Sequence, residues 1–230
     1  MTSQGYRKSF WDEKIVEWEE RKYDVARGLI DVNRSVRFRM DVARRILRMV
    51  VKGRTVLELG CGSSRLLAEV GRMGARKYIG VDVASTAIAA AERAARQFGG
   101  LECELINGDV TEVRRDDADI CFSLGLLDWL SLDEIKRVRA NIPTIYFFHS
   151  YSEKRLSLQY MAHKAYVFAM YGHRSKGYVP HYYSEEDIEG ALRGTLAPGR
   201  IQSFRSPRLS FGAIAHHLPA GLEAELEFGE

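Results

Sequence analysis

The chain lacks most of the features that would mark it as secreted, membrane-bound or metal-stapled. It has only three cysteines in 230 residues, Cys61, Cys103 and Cys121. An odd number gives no disulfide framework, and the spacing matches no zinc site, so no metal is expected. Reduced, buried thiols in a cytoplasmic protein fit that usage. No run of 18 apolar residues occurs, which leaves no candidate membrane span. The first 30 residues are charged and aromatic where a secretory leader would be apolar. Charge of one sign is also scarce. Lys and Arg number 34 against 31 Asp and Glu, a net charge of +3, too little to demand a nucleic-acid partner. There is no internal repeat and no low-complexity tract. What is present is 46% hydrophobic and 28% charged residues, the balance of a globular domain able to bury one core.

The most informative stretch runs from Thr55 to Arg65. Val56, Leu57 and Leu59 read as a buried strand. Gly60 and Gly62 allow a tight turn and close approach of a ligand, and Ser63 and Ser64 suit a helix start. A strand, a Gly-x-Gly turn and a helix make a cradle for a nucleotide-like ligand. Arg65 stands where a dinucleotide fingerprint needs its third glycine, and no Gly-Lys-Ser/Thr follows. Instead Glu58 precedes Gly60 by two positions. A carboxylate there repels pyrophosphate and attracts an ammonium or a sulfonium.

Glu58-x-Gly60-x-Gly62-x-Ser64 resembles the first motif of the class I S-adenosylmethionine-dependent methyltransferases, with serine in place of the last glycine. The resemblance extends through four more strands. Tyr78 to Asp82 is a short apolar strand ending in an acid, which the resemblance assigns to the ribose hydroxyls, with Val83 beside it. Ala84 to Phe98 reads as a helix closed by Gly99-Gly100. Leu101 to Ile106 is a third strand leading to Asp109 and Val110, the position of the adenine edge. Asp119 to Leu124 is a fourth, bringing Ser123 and Leu124 toward the cofactor. Thr144 to His149 is a fifth. The implied fold is α/β: a doubly wound, seven-stranded, mostly parallel sheet with a terminal antiparallel hairpin and an amino-terminal helical cap. The implied cofactor is S-adenosyl-L-methionine, held by Arg39, Glu58, Gly60, Cys61, Gly62, Asp82, Val83, Asp109, Val110, Ser123 and Leu124. Arg37 and Arg39 sit where related enzymes often place a guanidinium against the methionine carboxylate.

One domain over residues 1–230 divides into three regions. Residues 1–50 form the helical cap, whose aromatics (Phe10, Trp11 and Trp18 among them) dock on the core, with one or two closing over the substrate. Residues 51–150 form the cofactor half. Residues 151–217 form the substrate side: a helical stretch from Ser152 to Met170, a basic aromatic loop to Tyr183, a helix starting at Ser184 and a hairpin over Arg200–Arg205 and Leu209–His216. The tail from Pro219 is expected to be loosely attached.

His149 is the first candidate for a general base, since it closes the fifth strand and titrates near neutrality. Asp128 is the second, as base, orienting acid or ammonium ligand. His173 and His181 could reach the acceptor from the loop. Tyr151, Tyr178, Tyr182 and Tyr183 could line its pocket, at least two of them as structural residues, and His216 and His217 read as structural. After the fourth strand stands Ser123-Leu124-Gly125-Leu126 rather than Asn/Asp-Pro-Pro-Tyr/Phe, which argues against exocyclic base amines or glutamine. Lys154, Arg155, Lys164, Arg174 and Lys176 hint at an anionic acceptor. The expected activity is methyl transfer to a hydroxyl or amine of a small, possibly anionic molecule, as in secondary-metabolite or sugar biosynthesis. An RNA or protein methyltransferase and a catalytically silent cofactor-binding subunit are the alternatives. Oligomeric state is not readable.

Overall fold

A computed structural model describes residues 8–13, 34–155, 161, 179–194 and 200–222. A short helical segment over 8–13 comes first. Helix α1 (Arg34–Val50) then leads into β1 (Thr55–Leu59), α2 (Leu67–Arg72), β2 (Lys77–Asp82), α3 (Ser85–Phe98) and β3 (Glu102–Asn107). β4 (Ile120–Ser123), a 3-10 turn (Leu127–Trp129), α4 (Leu132–Asn141) and β5 (Tyr146–Ser152) follow. Last come α5 (Glu185–Leu192), β6 (Gln202–Phe204), a second 3-10 turn (Pro207–Leu209) and β7 (Gly212–His217).

The seven strands make one sheet in the order β3-β2-β1-β4-β5-β7-β6. β1 to β5 are parallel, while β7 runs antiparallel between β5 and β6. The chain winds outward from β1 to β3 and then restarts at β4 on the other side of β1. That reversal opens a crevice beyond the carboxyl ends of β1 and β4, the place where open α/β sheets bind ligands.

β1 is buried along its whole length, as a central parallel strand covered on both faces must be. The two faces follow from side-chain alternation. Leu57, Leu59, Cys121, Phe147 and Tyr151 pack against Ile135 and Val138 of α4 and Ile188 and Leu192 of α5. Val56, Phe122, Phe148 and Ile214 pack on the opposite face against Ile46, Leu47 and Val50 of α1. There the Phe122 and Phe148 rings stack with centroids 4.9 Å apart. Helix α1 earns its place by a stripe at helical spacing, Phe38, Val42, Ile46 and Val50. Ser131 and Ser184 start α4 and α5 with complete capping boxes, Asp187 filling the Glu position of the second.

β5 continues three residues beyond His149, to Ser152. The expectation that the strand closes at His149 and a helix begins at Ser152 is therefore corrected. The cause is β7, which pairs with every residue from Phe147 to Ser152 and carries the strand on. Most of the expected helix and loop over 152–178 lies outside the described residues, as do residues 14–33 of the cap and the tail from 223.

Candidate functional site

The turn after β1 is built by backbone conformation. Gly60 and Gly62 adopt φ of 65° and 54°, in the left-handed region that a side chain disfavours. A Cβ on Gly60 would also stand 3.3 Å from Leu126 Cδ1. The amides of Gly60 and Cys61 donate to the Val81 carbonyl at 2.8 and 3.0 Å, tying the turn to β2. Asp82, the last residue of β2, completes the tie. Its Oδ2 accepts from the Gly62 N–H and its Oδ1 from the Ala84 N–H, both at 2.9 Å. Asn107 Nδ2 donates to the carbonyls of Asp82 and Val83 and fixes the same corner. Beyond β3, Asp109 Oδ1 accepts from the amide and hydroxyl of Thr111. Val83 is half-buried at this corner, whereas Val110 belongs to the core. Gly60, Gly62, Asp82 and Asp109 are thus all gathered at the carboxyl edge of β1 to β3.

Glu58 sits just below the turn and is 5% exposed. The Tyr78 hydroxyl donates to its Oε2. Burial and the neighbouring charge push the Tyr78 hydroxyl well above its ordinary range, so it stays protonated and donates. Sequence inspection missed Tyr78 because it belongs to the neighbouring strand. Gly80, opposite Glu58 in the β1–β2 register, was the available signal. A Cβ there would come within 2.9 Å of Leu105 Cδ2 and 3.0 Å of Cys61 Sγ. Cys61 itself is buried beside the turn, its Sγ 3.6 Å from the Gly62 carbonyl.

At the exit of β4, Gly125 has φ of 84° and donates its N–H to Ser150 Oγ at 2.7 Å. Arg39 of α1 lies against it, with Nη1 3.0 Å from where a Cβ on Gly125 would stand. The same guanidinium lies near Gly212 at the start of β7. Arg39 is therefore held over the ends of β4 and β7 by two positions without side chains.

The structure places both expected bases inside the fold. His149 is 5% exposed and lies within β5, paired to Ser123 of β4 on one side and Ala215 of β7 on the other. Its Nδ1 is 2.9 Å from Ser123 Oγ, and its ring stacks on Phe147. Burial, with the Arg139 charge nearby, pulls its pKa down to about 3. Burial thus favours the neutral imidazole at this place in the ladder. Asp128 is 8% exposed, and its two oxygens accept from the Ser152 amide at 2.6 Å and hydroxyl at 3.0 Å. Its carbonyl accepts the His181 N–H. Burial raises its carboxyl pKa against the opposing pull of Arg39. It clamps the end of β5 to the turn after β4. Ser123 is wholly buried with its hydroxyl on His149, and Leu124 is partly buried against the α1-side layer.

Other candidates are likewise absorbed by the fold. The Tyr151 hydroxyl meets Ser203 Oγ at 3.1 Å, and the Tyr183 hydroxyl donates to the Leu130 carbonyl. Tyr182 leans on Phe211, His217 Nδ1 meets the Ile145 carbonyl, and His216 is buried in β7. Arg155 pairs with Glu153, which also holds Arg205; its charge is met within the fold. Lys164, His173, Arg174, Lys176 and Tyr178 lie outside the described residues.

The segment over 8–13 crosses this edge. Trp11 packs on Ala84 and Ala87 at the start of α3 and meets Trp129 edge-on, 4.9 Å between centroids. Phe10 adds a tilted contact to Trp129 at 5.9 Å. The segment thus bridges the exits of β2 and β4, the two strands that flank β1.

A methyltransferase-domain family model matches residues 56–145, the span from β1 to the residue before β5. No curated protein matches the chain in sequence. Among solved structures it is similar to magnesium protoporphyrin IX methyltransferase from Synechocystis PCC 6803 with bound S-adenosylhomocysteine. Identity is 16% over 95% of this chain and 100% of the other, with a TM-score of 0.69. It is also similar to the Burkholderia thailandensis 1,6-didemethyltoxoflavin-N1-methyltransferase, solved with that compound and S-adenosylhomocysteine. There identity is 15% over 94% of this chain and 88% of the other, with a TM-score of 0.61. The first motif, the strand order and the matched domain agree: residues 56–145 match a methyltransferase domain, set in a seven-stranded fold shared with S-adenosylmethionine-dependent methyltransferases.

Proposed function

We propose that this enzyme methylates a hydroxyl or amine of a small, anionic molecule. The observation that carries the small-molecule reading is the aromatic bridge of Phe10 and Trp11 on Trp129. It roofs the carboxyl edge of the sheet and favours an acceptor that fits beneath it over a polymer that must lie across it. The acceptors named for the two solved relatives, a porphyrin and a toxoflavin precursor, are of that size.

The residues present fit the cofactor. Asp82 stands at the ribose position. A carboxylate accepts about four hydrogen bonds, and the two amides it holds keep it aimed along the edge. Asp109, with Val83 and Val110, would hold the adenine, and the backbone from Gly60 through Gly62 the methionine stem. Arg39 would take the carboxylate and Glu58 the ammonium. Ser123 and Leu124 would contribute backbone alone. When bound, the cofactor supplies a methyl group already activated by the positive sulfur.

What the protein adds is alignment and exclusion of water, worth up to ~7–11 kcal/mol in well-oriented systems. With His149 and Asp128 committed to the fold, neither takes the acceptor's proton. An acceptor that is ionised or carries a free amine needs no strong base.

The test is transfer of a labelled methyl group from S-adenosylmethionine to a panel of small hydroxyl- and amine-bearing anions, beside RNA and protein. Turnover confined to small molecules supports the reading. RNA binding that survives about 200 mM salt, with RNA labelling, overturns it.

A further inference from the structure

Glu58 stands in the central strand of the sheet, opposite Gly80 of β2 on one side and Phe122 of β4 on the other. Strand alternation puts its side chain on the face of Val56, in the layer that Val56, Tyr78, Phe122 and Phe148 share. A carboxylate placed there keeps its charge only if donors meet it. Tyr78, wholly buried in the same layer, supplies one: its hydroxyl donates to Glu58 Oε2. Tyr78 stands opposite Val56 in the register, two residues short of Glu58's partner, so its ring must lean forward past Gly80. Gly80 leaves that path open, since a Cβ on it would stand 3.1 Å from Tyr78 Cε1.

The pairing has a direction. Burial and the Glu58 charge keep the Tyr78 hydroxyl protonated, so it serves as a donor and not as a competing anion. A charge-assisted bond to Oε2 orients the carboxylate and favours its ionised form. A carboxylate offers about four acceptor sites, so this bond leaves capacity for a cation arriving from the glycine turn, two residues on. The turn carries a second mark of the arrangement. Ser64 stands where the first motif has its last glycine, and it adopts φ of 56°, a conformation that favours glycine. Its side chain is buried beside the Tyr78 hydroxyl. What serine adds over glycine at that place is a hydroxyl next to the Tyr78–Glu58 pair.

We propose that Tyr78 is a positioning residue for the cofactor: through Glu58 it sets how strongly the protein holds the ammonium end of S-adenosylmethionine. This rests on the assignment of Glu58 to that ammonium given above, and it adds the residue of the neighbouring strand on which the assignment depends. Tyr78 acts through the carboxylate and does not itself touch the ligand. Its contribution is therefore confined to ligands that carry the amine.

The experiment titrates S-adenosylhomocysteine and its deaminated analogue, which lacks only the ammonium, into the full chain and its variants. The parent is expected to prefer S-adenosylhomocysteine by about tenfold or more. Tyr78→Phe keeps the ring and is expected to lose most of that preference, while binding the deaminated analogue as the parent does. Glu58→Gln should lose the preference too, and adding Tyr78→Phe to it should cost at most about twofold more, because the two residues act as one unit. An intact preference in Tyr78→Phe, equal losses for both ligands, or a severalfold further loss in the Glu58→Gln background overturns the positioning role. If Tyr78→Phe alone does not fold, a folded Glu58→Gln/Tyr78→Phe protein supports the pairing, and failure of both overturns it. A parent that binds both ligands equally overturns the ammonium assignment of Glu58 and this role with it. No binding of S-adenosylhomocysteine by the parent overturns the cofactor reading instead.

Discussion

Asp12 caps a helix from which it is separated by more than seventy residues: its Oδ1 accepts the Ser85 N–H at 2.6 Å and the Ser85 hydroxyl at 2.9 Å. Helix α3 has Ala84 at its N-cap, with no side-chain bond of its own. The amino-terminal segment supplies what the local sequence omits, and in doing so it is held across the cleft. Asp12→Ala removes that cap, a loss typically of ~0.5–2 kcal/mol. We expect faster amide exchange at residues 84–88 and S-adenosylhomocysteine release accelerated severalfold. Exchange and release rates equal to those of the parent would show that the segment does not close the site.

The His149–Ser123 pair predicts a pH dependence of stability rather than of catalysis. In the fold the imidazole is neutral down to about pH 3, whereas an unfolded histidine takes a proton near pH ~6.5. Between those values the unfolded chain binds one more proton. Stability from this group is complete above about pH 6.5 and is lost as pH falls toward about 3. Urea midpoints measured over that window should fall less steeply in His149→Gln than in the parent, by the slope of one proton. Methyl transfer per folded molecule should persist in the variant. Parallel pH profiles, or abolished turnover with cofactor affinity intact, would contradict the structural role.

The sequence was most legible where chemistry is local. Glu58, Gly60, Gly62, Asp82 and Asp109 come together at the carboxyl edge because a turn and three strand ends need those residue types at those places, and the five parallel strands follow from apolar runs between turn signals. What was not legible depended on distant pairing. His149 looked like a strand end because nothing in residues 150–152 shows that β7, sixty residues later, extends the ladder. The hydrogen bonds of Asp128 could not be read locally because its partner Ser152 lies in another strand. Tyr78 and Asp12 escaped notice for the same reason. Each acts on a group that only the tertiary fold brings near.

Arg139 shows how a buried cation can be structural without a carboxylate. Its guanidinium donates to the carbonyls of Leu192, Ile142 and Thr144 at 2.9, 3.3 and 2.8 Å and lies 4.8 Å from the Phe147 ring centroid. It pins the ends of α4 and α5 together. Arg139→Ala leaves those carbonyls without their donor, each at a cost of ~1–3 kcal/mol. We expect a total loss of about 3 kcal/mol or more, read as a drop of roughly 6–12 °C in Tm, with S-adenosylhomocysteine affinity unchanged at low temperature. An unchanged Tm would refute the pinning role.

Arg39 offers a test of the methionine end. Arg39→Lys keeps the charge but loses the fork that matches a carboxylate. S-adenosylhomocysteine should bind about tenfold more weakly, about 1.4 kcal/mol. Methylthioadenosine, which lacks the carboxylate, should bind as to the parent. Equal losses for both ligands would place the guanidinium elsewhere.

The cofactor assignment is tested most directly by calorimetric titration of S-adenosylhomocysteine into the parent protein and Asp82→Ala. The parent should bind, and the variant should bind severalfold or more weakly, because Asp82 is the acid proposed for the ribose and also holds the Gly62 amide. No binding by the parent, or equal affinity in the variant, would contradict the account.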